Sequence, residues 1–178
     1  MNKFKITALF AISIFATTCS NDQMLRTRAN ELAQKFIITD GHIDTPWKLS
    51  KNYEDISVRT KTGDFDYVRA KEGGLDVPFM AIYIPSSYLE TGGAKEKADS
   101  LIDMVEQIAN KDPDKFEIAY SLSDANRIFK EGKVALPMGM ENGAGIEDDI
   151  KNLKHFYDRG IRYITLTHSK DNLICDSS

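Results

Sequence analysis

Apolar positions along this chain fall into short runs set between charged, turn-forming segments, and the period of the runs alternates. Leu25, Leu32 and Phe36 recur among polar neighbours and predict a short helix over 24–35. Phe36-Ile37-Ile38 then opens a run that reads as a buried strand over 36–42. Residues 49–67 are charged and punctuated by Thr62-Gly63-Asp64, which reads as a loop. A strongly apolar stretch over 77–84 predicts a second buried strand. The clearest helix covers 94–110, where Ala98, Leu101, Ile102, Val105, Ile108 and Ala109 share one face, and Asp112-Pro113 ends it. A short strand is predicted over 116–120, followed by a helix over 124–130 with Ser123 as its cap and Gly132 as its stop. Residues 134–140 read as a strand. Residues 146–159 read as an amphipathic helix through Ile150, Leu153, Phe156 and Tyr157, with Gly160 just past its end. Residues 161–167, rich in β-branched side chains, read as a strand. Residues 169–178 carry no helix signal. Strands alternating with helices predict βα units on a parallel sheet, an α/β fold.

The first residues do not belong to that alternation. Lys3 and Lys5 precede an apolar segment over 6–16, broken only by Thr7 and Ser13. It is short of the ~20 apolar residues that span a bilayer and has the layout of a secretory signal peptide over 1–18. Ala16-Thr17-Thr18-Cys19 follows at the cleavage position and resembles a bacterial lipoprotein box, with Thr18 where Gly or Ala is commoner. The expectation is lipidation at Cys19 and a lipid anchor in the bacterial cell envelope (periplasm or outer membrane). Plain secretion and a retained anchor are the alternatives. Residues 20–23 would serve as a tether, so that 19–35 is tether and short helix. Loss of residues 1–18 removes Lys3 and Lys5 and takes the net charge from −4 to −6. With 23 basic and 27 acidic side chains, the chain lacks the basic footprint of a nucleic-acid binder. There are two cysteines; with Cys19 lipidated, Cys175 has no partner for a disulfide and reads as a small, partly buried residue.

Candidate chemistry sits where strands end. In Asp40-Gly41-His42-Ile43-Asp44-Thr45-Pro46, His42 and Asp44 are two residues apart. On a strand that spacing aims both side chains to one face, an N/O pair suited to a divalent metal. Glu141 follows Val134-Ala135-Leu136-Pro137-Met138-Gly139-Met140 directly, before Gly143 and Gly145. It reads either as a carboxylate able to bridge cations or as a surface loop acid. His168 closes Thr165-Leu166-Thr167-His168-Ser169 and reads evenly as a site residue or a satisfied polar group. His155, mid-helix among Asn152, Lys154 and Asp158, reads as solvated. Four ligand-competent residues at the C-terminal ends of predicted parallel strands occupy the position where βα barrels build active sites.

These segments resemble the membrane (renal-type) dipeptidases, peptidase family M19, within the amidohydrolase-like metal-dependent hydrolases. The resemblance rests on Asp40-Gly41-His42-Ile43-Asp44-Thr45-Pro46-Trp47 and on Gly160-Ile161-Arg162-Tyr163-Ile164-Thr165-Leu166-Thr167-His168-Ser169. Gly139-Met140-Glu141-Asn142-Gly143 and Arg69…Gly73-Gly74…Pro78-Phe79 support it, in family order, over nearly all of 36–178. It implies a (β/α)8 barrel of the TIM type holding two zinc ions. His42 and Asp44 would ligate the first zinc, Glu141 would bridge both, and His168 would contact substrate and stabilise the tetrahedral intermediate. A water activated between the two metals would attack the peptide carbonyl of a dipeptide. The second-metal histidines and the catalytic aspartate of that family come from later strands. Such a barrel typically needs about 250 residues, so the expectation for 36–178 is roughly the N-terminal half of the barrel, a fragment inactive alone. Two readings compete: another amidohydrolase acting on lactones or cyclic amides, against which His-x-Asp in place of His-x-His counts, and a lipid-anchored non-catalytic protein with an incomplete site.

Overall fold

The computed structural model describes residues 21–177. The predicted signal segment and Cys19 lie outside the described residues. The chain divides into two compact units, Met1–Phe36 and Ile37–Ser178. In the first, residues 21–35 form a helix, α1, one turn longer than its apolar pattern predicts and including part of the expected tether. Pairs on its surface span one turn, Arg26 with Asp22 and Arg28 with Glu31, each at 3.0 Å. No helix among the described residues is long and apolar enough to cross a membrane.

In the second unit the order is β1 (Ile38–Ile43), α2 (Thr45–Lys51), α3 (Tyr67–Gly73), β2 (Leu75–Tyr83), α4 (Tyr88–Thr91), α5 (Ala94–Lys111), β3 (Phe116–Ile118), α6 (Leu122–Lys130), β4 (Val134–Leu136), β5 (Met138–Glu141), a 3₁₀ turn (Gly143–Ile146), α7 (Lys151–Asp158) and β6 (Ile161–Thr165). Strands β1-β2-β5-β6 form one parallel sheet and β3-β4 a second parallel pair. The run predicted as one strand over 134–140 is thus two. Pro137 lacks an N–H and interrupts the ladder, while its carbonyl still accepts from Met80 N–H at 2.8 Å. Before the proline the chain pairs with β3; after it, with β2 and β6.

The α5 face named from the sequence is the helix side of the core. Ala98, Leu101, Ile102, Val105, Ile108 and Ala109 are all buried, and they join Met80, Ile82 and Ile84 of the β2 segment and Met138 and Met140 of β5 in one cluster. Alternation along β2 and β5 sends these residues toward the helices and leaves Phe79, Tyr83, Gly139 and Glu141 on the opposite face.

Several expectations change. Strand β1, read as buried, is exposed over most of its length, because among the described residues it forms the sheet edge, paired with β2 alone. The segment read as a loop over 49–67 begins inside α2 and ends where α3 starts. Both helices have seven residues, too few for a face to repeat. Helix α3 is capped by Asp66, fully buried, which accepts from the backbone N–H of Arg69 at 2.8 Å and of Thr60 at 3.1 Å. Burial pushes its carboxyl up, and these N–H groups with the adjacent Arg69 guanidinium pull it below its usual range. Helix α6 is capped by Ser121 rather than Ser123: the Ser121 hydroxyl accepts from Asp124 N–H at 3.1 Å, and Asp124 reaches back to Tyr120 N–H at 3.1 Å. Helix α7 is shorter than predicted. It buries Phe156, while Ile150, Leu153 and Tyr157 line an open groove of about 620 Å³ beside β6.

Candidate metal centre

Strand ends and the turns after them set the site. His42 is in β1. Asp44 is not on the strand; it is the N-cap residue of α2, which has Pro46 in its first turn. An aspartate there ordinarily accepts from the first-turn N–H groups, but Asp44 makes no side-chain capping bond. Its Oδ1 lies 3.4 Å from His42 Nε2 instead. The pair converges because the chain turns after β1, not because of the strand pleat.

Glu141 is the last residue of β5, with its side chain only 16% exposed. Its two oxygens face different ways. Oε2 is 3.2 Å from His42 Nε2, and Oε1 is 3.2 Å from Nε2 of His168. His168 lies in the loop after β6, not on the strand. The Tyr83 ring meets the His168 ring edge-on at 5.0 Å, and Trp47 meets Tyr83 the same way at 5.1 Å. Ligand atoms of His42, Asp44 and Glu141 all lie within 4.8 Å of one another. One imidazole nitrogen and two carboxylates in that space match the donor set of a hard or borderline divalent cation.

The site is a region of negative charge. Burial, then the charges of Glu141 and Asp44, push the Tyr83 phenol pKa up. Burial followed by Glu141, Asp40 and Asp44 does the same to Tyr163. A cation would relieve that field.

The structure brings His42, Asp44, Glu141 and His168 together. It places His155 elsewhere and with a partner, against the reading of a solvated residue: Nε2 is 2.8 Å from Asp99 Oδ1 on α5, and Arg159 reaches the same oxygen at 2.9 Å. Arg69 belongs to the Asp66–Thr60 cap. Cys175 is free and half-buried.

Two residues escaped the sequence reading. Asn142 is fully buried at φ 77°, where non-glycine residues are uncommon and Asn is among the more tolerant. Its side chain donates to Ile84 O at 2.9 Å and accepts from Ala144 N–H at 3.2 Å and from Asn172 Nδ2 at 3.0 Å, and its own N–H donates to Thr165 Oγ1 at 2.9 Å. These bonds pin the turn that follows Glu141. Tyr163 of β6 reaches β1, where its hydroxyl lies 3.0 Å from His42 Nδ1 and 3.0 Å from Gly41 O. The signal for it was a pairing of residue sizes: Gly139 lies beneath the ring, and a Cβ there would fall 2.1 Å from it.

The family model for membrane dipeptidases (peptidase family M19) matches residues 26–178. Among curated relatives, dipeptidase ataJ of Aspergillus terreus is 28% identical over 177 residues, covering 91% of this chain and 42% of the relative. Dipeptidase 3 of Mus musculus is 28% identical over 152 residues, covering 83% and 30%. The chain therefore spans less than half the length of these relatives. Among solved structures, the probable dipeptidase PvdM from Pseudomonas aeruginosa superposes with a TM-score of 0.75 at 24% identity, over 87% of this chain and 40% of that one. A metallo peptidase from Rhodobacter sphaeroides, solved with a phosphinate mimic of the dipeptide L-Ala-D-Ala, gives 0.67 at 22% identity, over 77% and 47%. At these identities the structural likeness speaks to the fold: an α/β parallel sheet matching part of the chain of such dipeptidases.

Proposed function

The chain belongs to the membrane dipeptidase family, peptidase family M19, and from that premise we propose that it supplies one side of the zinc centre of a metallodipeptidase that hydrolyses the peptide bond of dipeptides. The observation that carries this reading is the convergence of His42, Asp44 and Glu141 within 4.8 Å. A bound divalent cation would supply Lewis acidity there, polarising a carbonyl and making water acidic enough to react near neutral pH. His42 Nε2 and Asp44 would hold the first zinc. Glu141, with one oxygen toward that pair and the other toward His168, would be free to ligate a second. His168 donates to the substrate carbonyl oxygen as negative charge develops on it, and the Tyr83 ring holds its imidazole in place. The dipeptide substrate is supported by the relatives, one of which was solved with a dipeptide mimic.

Residues 19–178 alone are expected to bind metal and turn over dipeptides poorly. Of the three histidines in the sequence, two are at the site and the third is bonded to Asp99, which leaves no further imidazole for the second zinc. The box around Cys19 supports export and a lipid anchor in a bacterial envelope. Labelling with a fatty-acid analogue, lost in Cys19→Ser, tests that part. For the centre itself, metal analysis of purified protein is the test. Bound zinc is expected in the wild type and loss of it in His42→Ala and in Glu141→Gln. Equal metal in all three, or robust dipeptide turnover that survives His42→Ala, would overturn the proposal.

A further inference from the structure

The Tyr163 hydroxyl contacts both His42 and the carbonyl before it. The Tyr163 ring leaves β6, lies over Gly139 of β5 and comes within 5.5 Å of the Phe79 ring of β2. Its hydroxyl thereby reaches β1 from the opposite edge of the same four-stranded sheet. There it makes two contacts, each at 3.0 Å, to Gly41 O and to His42 Nδ1. A phenol has one proton to give. Gly41 O is a carbonyl and can only accept, so the hydroxyl proton goes to it. The contact with His42 then holds only if Nδ1 carries a hydrogen and donates to the phenol oxygen. In a neutral imidazole this leaves Nε2 with its lone pair exposed.

That lone pair faces Asp44 Oδ1 at 3.4 Å and Glu141 Oε2 at 3.2 Å, both of them acceptors. Three electron-pair donors facing one another, with no hydrogen between them, are mutually repulsive until a cation sits among them. We infer that Tyr163 is a positioning residue that holds His42 in its Nδ1–H tautomer, so that Nε2 is presented as a ready metal ligand, with Gly41 O as the anchor of the chain. This rests on the reading of His42 as a zinc ligand given above. Hydrogen bonding behind a ligating histidine generally fixes its tautomer and ring orientation, and losing the partner costs about 10–100-fold in metal affinity. Gly139 has a part in the arrangement, since any side chain at that position displaces the ring.

The test compares wild type, Tyr163→Phe and His42→Ala as metal-free protein, with ¹⁵N-labelled histidine, above the pH at which imidazole is neutral. Long-range ¹H–¹⁵N correlations report the tautomer, and zinc competition reports affinity. The wild type is expected to show His42 as Nδ1–H. Tyr163→Phe, which keeps the ring, is expected to melt within a few degrees of wild type, to move His42 toward the Nε2–H form and to lose about 10–100-fold in zinc affinity. A wild-type His42 found as Nε2–H, or a Tyr163→Phe protein with tautomer and affinity unchanged, overturns the inference. If His42→Ala binds zinc as tightly as wild type, the metal-ligand reading fails. If His42→Ala abolishes binding while Tyr163→Phe changes neither readout, only the role of Tyr163 fails.

Discussion

At the scale of single residues, the candidate site depends on side chains directed by turns. Two histidines and two carboxylates were legible as candidates from their place after apolar runs, and the structure brings all four together. The geometric reason was only half legible. His42 is on its strand, but Asp44 is an N-cap residue that leaves its capping role unused, and no i, i+2 rule describes that. Asn142 was invisible because its signal is conformational, a positive φ held by buried bonds. Replacing it with alanine leaves Ile84 O and Ala144 N–H without their partner and keeps a strained backbone. Asn142→Ala is expected to lose about 2–3 kcal/mol of stability by urea unfolding. It should also weaken zinc binding, because it releases the turn behind Glu141. Unchanged urea midpoint and zinc affinity would show that the turn holds itself.

At the scale of elements, long periodic segments were readable and short ones were not. The α5 face repeats over five turns, and every position named on it is buried. Helices α2 and α3, with seven residues each, leave too little sequence for a period, and only their caps and Pro46 mark them. The start of α6 was misplaced by two residues because two serines compete. The structure separates them: Ser121 accepts the Asp124 N–H, while the Ser123 hydroxyl lies against the Ser121 hydroxyl at 2.7 Å. Ser121→Ala is expected to cost about 1 kcal/mol and Ser123→Ala a few tenths at most, readable as shifts in the chemical denaturation midpoint. Equal effects would mean that the cap is wrongly assigned. Helix α7 shows the opposite error, where an amphipathic pattern was real but most of its apolar face borders a groove rather than the core.

Across the whole molecule, the alternation of strands and helices was enough to predict a parallel α/β sheet. What it could not supply was strand order, since β4 and β5 exchange partners at one proline, and the exposed edge at β1. Contacts far apart in sequence also tie the layers through charge. Asp99 on α5 receives His155 and Arg159 from α7, with Lys95 on its own helix. Burial pushes the Asp99 carboxyl up, and the hydrogen bonds from His155 and Lys95 outweigh it, so its pKa lies below the ordinary 3.8. A carboxylate depressed in the folded state contributes stability above its unfolded pKa and loses it as pH falls through the folded one. Urea midpoints are therefore expected to fall between pH 5 and pH 3 in the wild type, and to fall less in Asp99→Asn. An equal drop in both would remove Asp99 from the account of acid sensitivity.

The claim on which the rest depends is that His42, Asp44 and Glu141 share one cation. X-ray absorption on the zinc-loaded protein addresses it most directly. The expected spectrum has nitrogen and oxygen neighbours at about 2.0–2.2 Å, with imidazole scattering that diminishes in His42→Ala. A sulfur neighbour at about 2.3 Å, which would point to one of the two cysteines, or imidazole scattering unchanged in His42→Ala, would contradict it.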